Sequence, residues 1–545
     1  MSRVLVLGLD GVGFSALRPW MEAGALPNLA AAVARGAHGD LESTVPPVTG
    51  PAWTTFQTGV NPGKHGILNW TRRREESYDL SVITSADNPY PTIWELASEA
   101  GRRVVSIGLP MTYPPRKVNG VMIPGMLTPA GDPAPTYPPE AYAELRAAAP
   151  DFRFFPECAH RLTLKGKLAE LLRGVRGRTL AARHFMTTRD WDLFMLHFQA
   201  TDKVQHDLWG LRDGNKSAVL SVFEEVDRAI GQLSEIARGM GAHVILLSDH
   251  GMGRQDNIFS VNTWLLQAGY MALKRGLPTR LRWLAFRGGF TQKRLAHVGL
   301  ALYPIAYRLG LVRSFFDTVG QTGLAALISR LFLDLNDVDW SRTRAYSHSD
   351  VGHIRLNRRG REPEGIVDDE QAPDLVDALI EGLRRVTNHQ TGDPLLGHVF
   401  RREEVYTGER LSEAPEILFL PRELRTLGTG ASGFYSWSLF SPSLLRANHR
   451  MEGMLIATGE SFGTGATLSG ARLVDLTPNL LYLLDCPIPD YMDGVVWQDA
   501  YRPGLLSERP PRSSDRPSQR EAGGETDEAL SEELRKRLRQ LGYLT

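Results

Sequence analysis

Apolar residues run unbroken from Val4 to Leu9 and stop at Asp10-Gly11. A strand buried on both faces reads this way, because alternation disappears when neither face meets water. The pattern returns along the chain. Residues 103–108 follow a helix-period stretch at 92–100 and lead into a Pro-rich loop. Residues 191–198 run to a polar break at Asp202, and residues 242–247, after a helical stretch at 218–238, end in Ser248-Asp249-His250-Gly251. Alternating strand and helix signals predict an α/β fold around a mostly parallel central sheet.

Three regions depart from this rhythm. Residues 258–316 hold no acidic side chain, yet Lys274, Arg275, Arg280, Arg282, Arg287, Lys293, Arg294, Arg308 and Arg313 fall inside, interleaved with Trp283, Phe286, Phe290, Tyr303 and Tyr307. The reading is an inserted basic, aromatic helical cap at 258–334, between core segments 1–257 and 335–505. Such a surface can steer anionic substrates or rest on an anionic membrane surface; solvated arginines are the plainer account. Residues 506–527 are polar and Pro/Ser/Arg/Glu-rich, a disordered linker. Beyond them Leu530, Leu534, Leu538 and Leu541 give 528–545 the spacing of an amphipathic helix, read as a docking or dimer element.

Composition narrows the class. At 545 residues several structural units are expected. Lysine plus arginine and aspartate plus glutamate both number 62, so no nucleic-acid-binding surface is expected. Hydrophobic residues at 42% and charged residues at 23% exclude disorder for most of the chain. Cys158 and Cys486 cannot make a disulfide framework and fit a reducing compartment. The first apolar run is too short for a signal peptide, and no stretch approaches the ~20 apolar residues of a membrane span. The expected location is cytoplasmic.

The chemistry gathers where strands stop. Ligands bind beyond the carboxyl ends of strands in open α/β sheets, and three such ends carry Asp10, Asp202 and Asp249-His250. Asp202 and His206, four apart, share one helix face. Singly, each has a bland reading: Asp10 as a helix cap, Asp202-x-x-x-His206 as a solvated face. Together they point to a metal centre, whose oxygen and imidazole donors without thiolate suit Zn, Mn or Mg. A hydroxyl-dense stretch supplies nucleophile candidates Thr44, Thr49, Thr54 and Thr55. Such hydroxyls need a base or metal to attack, and spacing does not choose among them.

The ordered set Leu-Gly-Leu-Asp10-Gly, Thr49-x-x-Ala-Trp53, Thr58-Gly-x-x-Pro-x-x-His65-Gly-Ile, Asp202-x-x-x-His206 and Asp249-His250-Gly resembles the alkaline phosphatase superfamily, nearest its type I phosphodiesterase/nucleotide pyrophosphatase branch. Stretches at 357–366 and 448–453 are similar to a bacterial and archaeal subgroup of phosphohydrolases or phosphomutases. The resemblance implies a three-layer sandwich and two divalent metal ions, most simply Zn or Mn. One metal falls to Asp10, Thr49, Asp249 and His250, the other to Asp202, His206 and His449, with His353 competing for the last place. It also implies Thr49 as nucleophile and Asn69 as a substrate-binding residue, while His65 is read as structural. Asn69 stands one residue early, with Trp70 at the family's place, and Ala52 replaces a usual asparagine; both bear on substrate choice. No cysteine lies in the loop, which excludes the formylglycine route of sulfatases. The expected activity is phosphodiester hydrolysis through a phospho-threonine on an anionic phosphate ester. The alternatives are a phosphomonoesterase or phosphomutase, and a non-catalytic metal-bound scaffold at an anionic surface.

Overall fold

The computed structural model describes residues 2–129, 131–155, 163–214, 216–291, 294, 331–387, 392–430, 433–443, 445–517, 533–535 and 538. Cys158, most of the cap from 292 to 330, residues 518–527 of the expected linker and most of the expected C-terminal helix lie outside the described residues.

The central sheet has eight strands: β1 (Val4–Leu9), β2 (Ala37–Glu42), β3 (Val104–Ile107), β4 (Gly120–Ile123), β5 (Leu193–Phe198), β6 (His243–Leu247), β7 (Glu452–Thr458) and β8 (Ala471–Arg472). They lie side by side as β8-β2-β7-β6-β1-β5-β3-β4. Only β7 runs against its neighbours β6 and β2; the other pairs are parallel. In β1, Leu5, Leu7 and Leu9 enter one apolar cluster with Val175, Phe185, Val226 and Ile230. Val4 and Val6 enter a second with Trp53, Phe56, Trp94 and Leu480. Both faces are therefore covered, as the unbroken apolar run requires, and each fully buried aliphatic side chain contributes ~1.5–3 kcal/mol.

Helices complete the layers. Around the site these are α1 (Thr49–Thr58), α2 (Leu164–Thr188), α3 (Ala200–Leu208) and α4 (Ala218–Gly239). The Thr163 hydroxyl caps α2 by accepting from the Gly166 amide at 3.2 Å, and Ser217 caps α4 through the Leu220 amide at 3.4 Å. The architecture is the three-layer α/β sandwich that the family resemblance implies, around the mostly parallel sheet that the strand and helix signals predict.

A further apolar cluster gathers Phe259, Trp264, Phe286, Trp340, Tyr346, Leu379 and Phe419. It joins α5 (Leu277–Arg287) and α6 (Ala372–Arg384) to a four-stranded sheet ordered Ala345–Tyr346, His353–Leu356, Ile417–Pro421, Leu396–Arg401. This excursion leaves and re-enters through one antiparallel ladder, Gly251–Arg254 against Ala447–Arg450, which sets His449 opposite Met252. Near the C-terminus Leu534 and Leu538 are buried beside Val48, Ile67 and Trp70. Among the described residues no helix is long and apolar enough to cross a membrane.

Candidate active site

Topology dictates which residues meet. Strands β6, β1 and β5 are adjacent and parallel, so their carboxyl ends finish together. Leu9 pairs with Phe198, and the Asp10 amide donates to the Phe198 carbonyl at 3.2 Å. One turn beyond β5, α3 carries Asp202 and His206; just beyond β6 stand Asp249 and His250. The Thr201 hydroxyl locks α3 to β1 by donating to the Asp10 carbonyl at 2.7 Å. The Gly11 amide donates to Asp249 Oδ1 at 3.3 Å.

Two clusters of metal-capable side chains result. Asp202, His206 and His449 form one, Asp10, Asp202 and His250 the other, with the donor atoms of each within 4.8 Å of one another. Asp249 Oδ2 adjoins the second, 3.2 Å from His250 Nε2. The three histidines are oriented alike. Nδ1 of His250 donates to the Gly251 carbonyl at 3.0 Å, that of His206 to Ala447 at 3.1 Å, and that of His449 to Pro47 at 2.7 Å. A carbonyl only accepts, so in each neutral ring Nδ1 holds the proton and Nε2 keeps its lone pair. The Nε2 atoms of His206 and His449 then face each other at 3.0 Å. Both lie near Asp202 Oδ1, at 3.2 and 3.5 Å.

Facing lone pairs beside a buried carboxylate need a cation. Two nitrogens on one tetrahedral zinc, each at ~2.0–2.1 Å, stand about 3.3 Å apart, close to the observed spacing. The second cluster makes the same demand. Asp10 Oδ1 and Asp249 Oδ2 are buried without a hydrogen-bond donor, a costly state for a carboxylate. Burial, then the neighbouring carboxylates, pushes Asp10 and Asp249 well above the usual carboxylate range. Asp202 goes the other way: burial opposes its ionisation, but positive charge on the imidazoles of His206 and His449, where they take up a proton in place of a metal, holds it well below that range. These donors fit divalent cations.

The four threonines separate by their partners. Thr44 donates to the Pro46 carbonyl at 3.0 Å, Thr54 to the Gly50 carbonyl at 2.8 Å, and Thr55 pairs with His65 Nε2 at 3.0 Å. Thr49 alone of these places its hydroxyl on a member of the two clusters, 3.2 Å from His250 Nε2. It is buried and opens α1, where backbone amides lack intrahelical acceptors and attract anions. His65 Nδ1 accepts from the Ile67 amide at 3.0 Å. Burial, reinforced by Arg410, pushes that ring down to about 3, a neutral brace within the turn.

Asn69 joins none of these contacts. Its Oδ1 accepts from the Trp70 amide at 2.8 Å and its Nδ2 donates to Ser349 Oγ at 3.3 Å, tying it to the loop between Ala345–Tyr346 and His353–Leu356 of the four-stranded sheet. His353 lies in that sheet, paired with Leu418, and falls in neither cluster.

Sequence reasoning passed over two residues. His197 lies inside β5, its Nε2 3.0 Å from Asp10 Oδ2 and its Nδ1 3.2 Å from the Gly108 carbonyl, with Trp53 edge-on at 4.8 Å. The signal was present: one imidazole in an otherwise apolar, doubly buried strand must find partners. Behind it the buried Arg178 donates to the carbonyls of His197 and Phe154, both at 2.9 Å. Set in the run Arg173-Gly-Val-Arg176-Gly-Arg178 along a long helix, Arg178 gives no such sign.

Residues 4–425 match the family model for type I phosphodiesterase/nucleotide pyrophosphatase. Among curated proteins none matches the chain. Among solved structures, phosphonoacetate hydrolase from Sinorhizobium meliloti 1021 aligns with TM-score 0.53 at 14% identity, over 89% of this chain and 95% of its own. Human ectonucleotide pyrophosphatase/phosphodiesterase 5 aligns with TM-score 0.48, also at 14% identity, over 93% of this chain and 99% of its own. The strand-end site and the span of the family match lead to one assignment: the chain belongs to the type I phosphodiesterase/nucleotide pyrophosphatase family of the alkaline phosphatase superfamily, hydrolases of phosphoric esters.

Proposed function

We propose that this protein is a two-metal phosphodiesterase working through a phospho-threonine at Thr49. The observation that carries it is the Thr49 hydroxyl 3.2 Å from His250 Nε2, beside the facing Nε2 atoms of His206 and His449 at 3.0 Å. Asp202, His206 and His449 would hold one ion, and Asp10, Thr49, Asp249 and His250 the other. Zn or Mn suits oxygen and imidazole donors without thiolate. Bound there, divalent cations neutralise the carboxylates, favour the ionised threonine and stabilise charge on phosphoryl oxygens.

Thr49 Oγ attacks phosphorus in line; its bond to phosphorus forms as the bond to one ester oxygen breaks, and the departing alkoxide takes a proton from solvent. Water then attacks the phospho-threonine, releasing a phosphomonoester and restoring the threonine hydroxyl. Two inversions give net retention at phosphorus. Amides at the start of α1 would receive the developing oxyanion charge. His197 Nε2, 3.0 Å from Asp10 Oδ2, accepts from the protonated carboxyl of the metal-free site and so positions that side chain, as outer partners commonly do for ligands. Cys486, buried with a free thiol, agrees with a cytoplasmic setting.

The test compares a bis-aryl phosphate diester with the aryl monoester, with Mn or Zn supplied, in wild type and Thr49→Ala. Diester-dominated turnover lost in the variant supports the reading. Monoester-dominated turnover would assign a phosphatase or mutase instead. Two bound metals with neither substrate turned over would favour a scaffold.

A further inference from the structure

Helix α5 turns two unlike faces outward and inward. Inward, Phe286 joins the apolar cluster of the four-stranded sheet, Thr279 donates to Asp337 Oδ1 at 2.6 Å, and Arg282 Nε donates to Asp337 Oδ2 at 2.9 Å. Outward, Leu277, Leu281 and Leu284 recur at helical spacing and remain 69%, 58% and 56% exposed. Beyond the helix end Phe290 and Leu331 are also 48% and 56% exposed. Phe290 stacks on Phe332 with ring centroids 4.9 Å apart. Scattered exposed leucines are ordinary, but a contiguous row of them marks a surface that something covers.

Charge selects the occupant. Arg280 and Arg287 are exposed along one flank of the leucine row, with Lys274 and Arg275 exposed just ahead of it. Arg287 also lies over the Trp283 and Trp437 rings, at 4.9 and 5.3 Å. Between residues 258 and 291 there is no acidic side chain to offset them. A second copy would set this basic flank against its own image. The chain's own residues 292–330 carry Lys293, Arg294, Arg308, Arg313 and Arg330 against Asp317 alone, again the same sign. Nucleic acid supplies negative charge but no apolar seat for leucines. An anionic bilayer supplies both: acyl boundary for the leucines and head groups for the arginines.

We propose that α5 lies in the plane of an anionic phospholipid membrane surface and anchors the enzyme there peripherally. Flotation of the full-length protein with vesicles tests this, using phosphatidylcholine alone against phosphatidylcholine with phosphatidylglycerol. Binding to the anionic vesicles should exceed binding to the neutral ones by about tenfold at low salt and fall as salt rises. The Leu281→Asp/Leu284→Asp pair should lose about tenfold, and Arg280→Glu should lose part of that, while aryl-diester turnover in solution stays at the wild-type rate. These positions touch none of the catalytic groups, and their exposure spares the fold. Equal binding to both vesicle types, or no loss in the leucine pair, would overturn the proposal. So would failure to float combined with self-association that the leucine pair abolishes.

Discussion

Alanine at Gly108, set against alanine at Gly101, isolates the buried support behind the site. Both glycines have left-handed backbones, with φ of 73° and 77°. An L side chain in that region costs ~1–2 kcal/mol at either position. Around a Cβ at Gly101 nothing lies within 4 Å, whereas at Gly108 it would fall 1.8 Å from Arg178 Nη1. That nitrogen donates to the His197 carbonyl at 2.9 Å, and Nη2 donates to Phe154 at 2.9 Å. The guanidinium is buried, so its displacement loses at least one charge-assisted hydrogen bond, about 1.5–3 kcal/mol. Gly101→Ala should therefore cost about 1–2 kcal/mol and Gly108→Ala about 2.5–5 kcal/mol, read by urea unfolding followed through tryptophan fluorescence. The Gly108 carbonyl also positions His197, whose Nε2 meets Asp10 at 3.0 Å. Metal affinity should then fall about tenfold in Gly108→Ala and stay unchanged in Gly101→Ala. Equal destabilisation within ~0.5 kcal/mol, or equal metal affinity, would refute the reasoning.

Two further outcomes follow from the site and its rim. Asp202→Ala or His206→Ala should release one of two metal ions, counted by elemental analysis, whereas Thr49→Ala should keep both; full retention in the first two would undo the ligand assignment. Burial pushes the Asp350 carboxyl up to about 6 from 3.8, with its own backbone amide and Asn69 only partly offsetting this. A folded-state acid with a raised value holds its proton more tightly than the unfolded chain. Stability therefore declines as pH rises from about 4 to about 6, and the loss persists above that, up to about 3 kcal/mol for a two-unit shift. Asp350→Asn should thus gain stability over wild type at pH near 8 and match it near pH 3; a constant difference across that range would contradict this.

The central sheet was legible because its strands are buried twice over, which erases alternation and leaves runs such as Val4–Leu9. The acids and histidines at the strand ends were legible for a related reason: a polar residue ending an apolar run has to face something polar. Choosing Thr49 over Thr44, Thr54 and Thr55 took a resemblance, since hydroxyl partners arise only in three dimensions. His449 was equally hidden, because a ladder across nearly two hundred residues brings it back opposite Met252. The second sheet includes a strand of only two residues, Ala345–Tyr346, too short for any period to register. His197 and Arg178 escaped notice because their partners are carbonyls and one carboxylate supplied by distant segments.

Covalent capture tests the central claim most directly. Wild-type enzyme turning over a diester with a phosphorus-32 label would be quenched in acid, digested and mapped by mass spectrometry. A labelled phosphoryl group that still bears one ester substituent, on the peptide containing Thr49 and absent from Thr49→Ala, is the predicted result. Steady diester turnover with no covalent phosphate at any time after mixing, or turnover undiminished in Thr49→Ala, would contradict it.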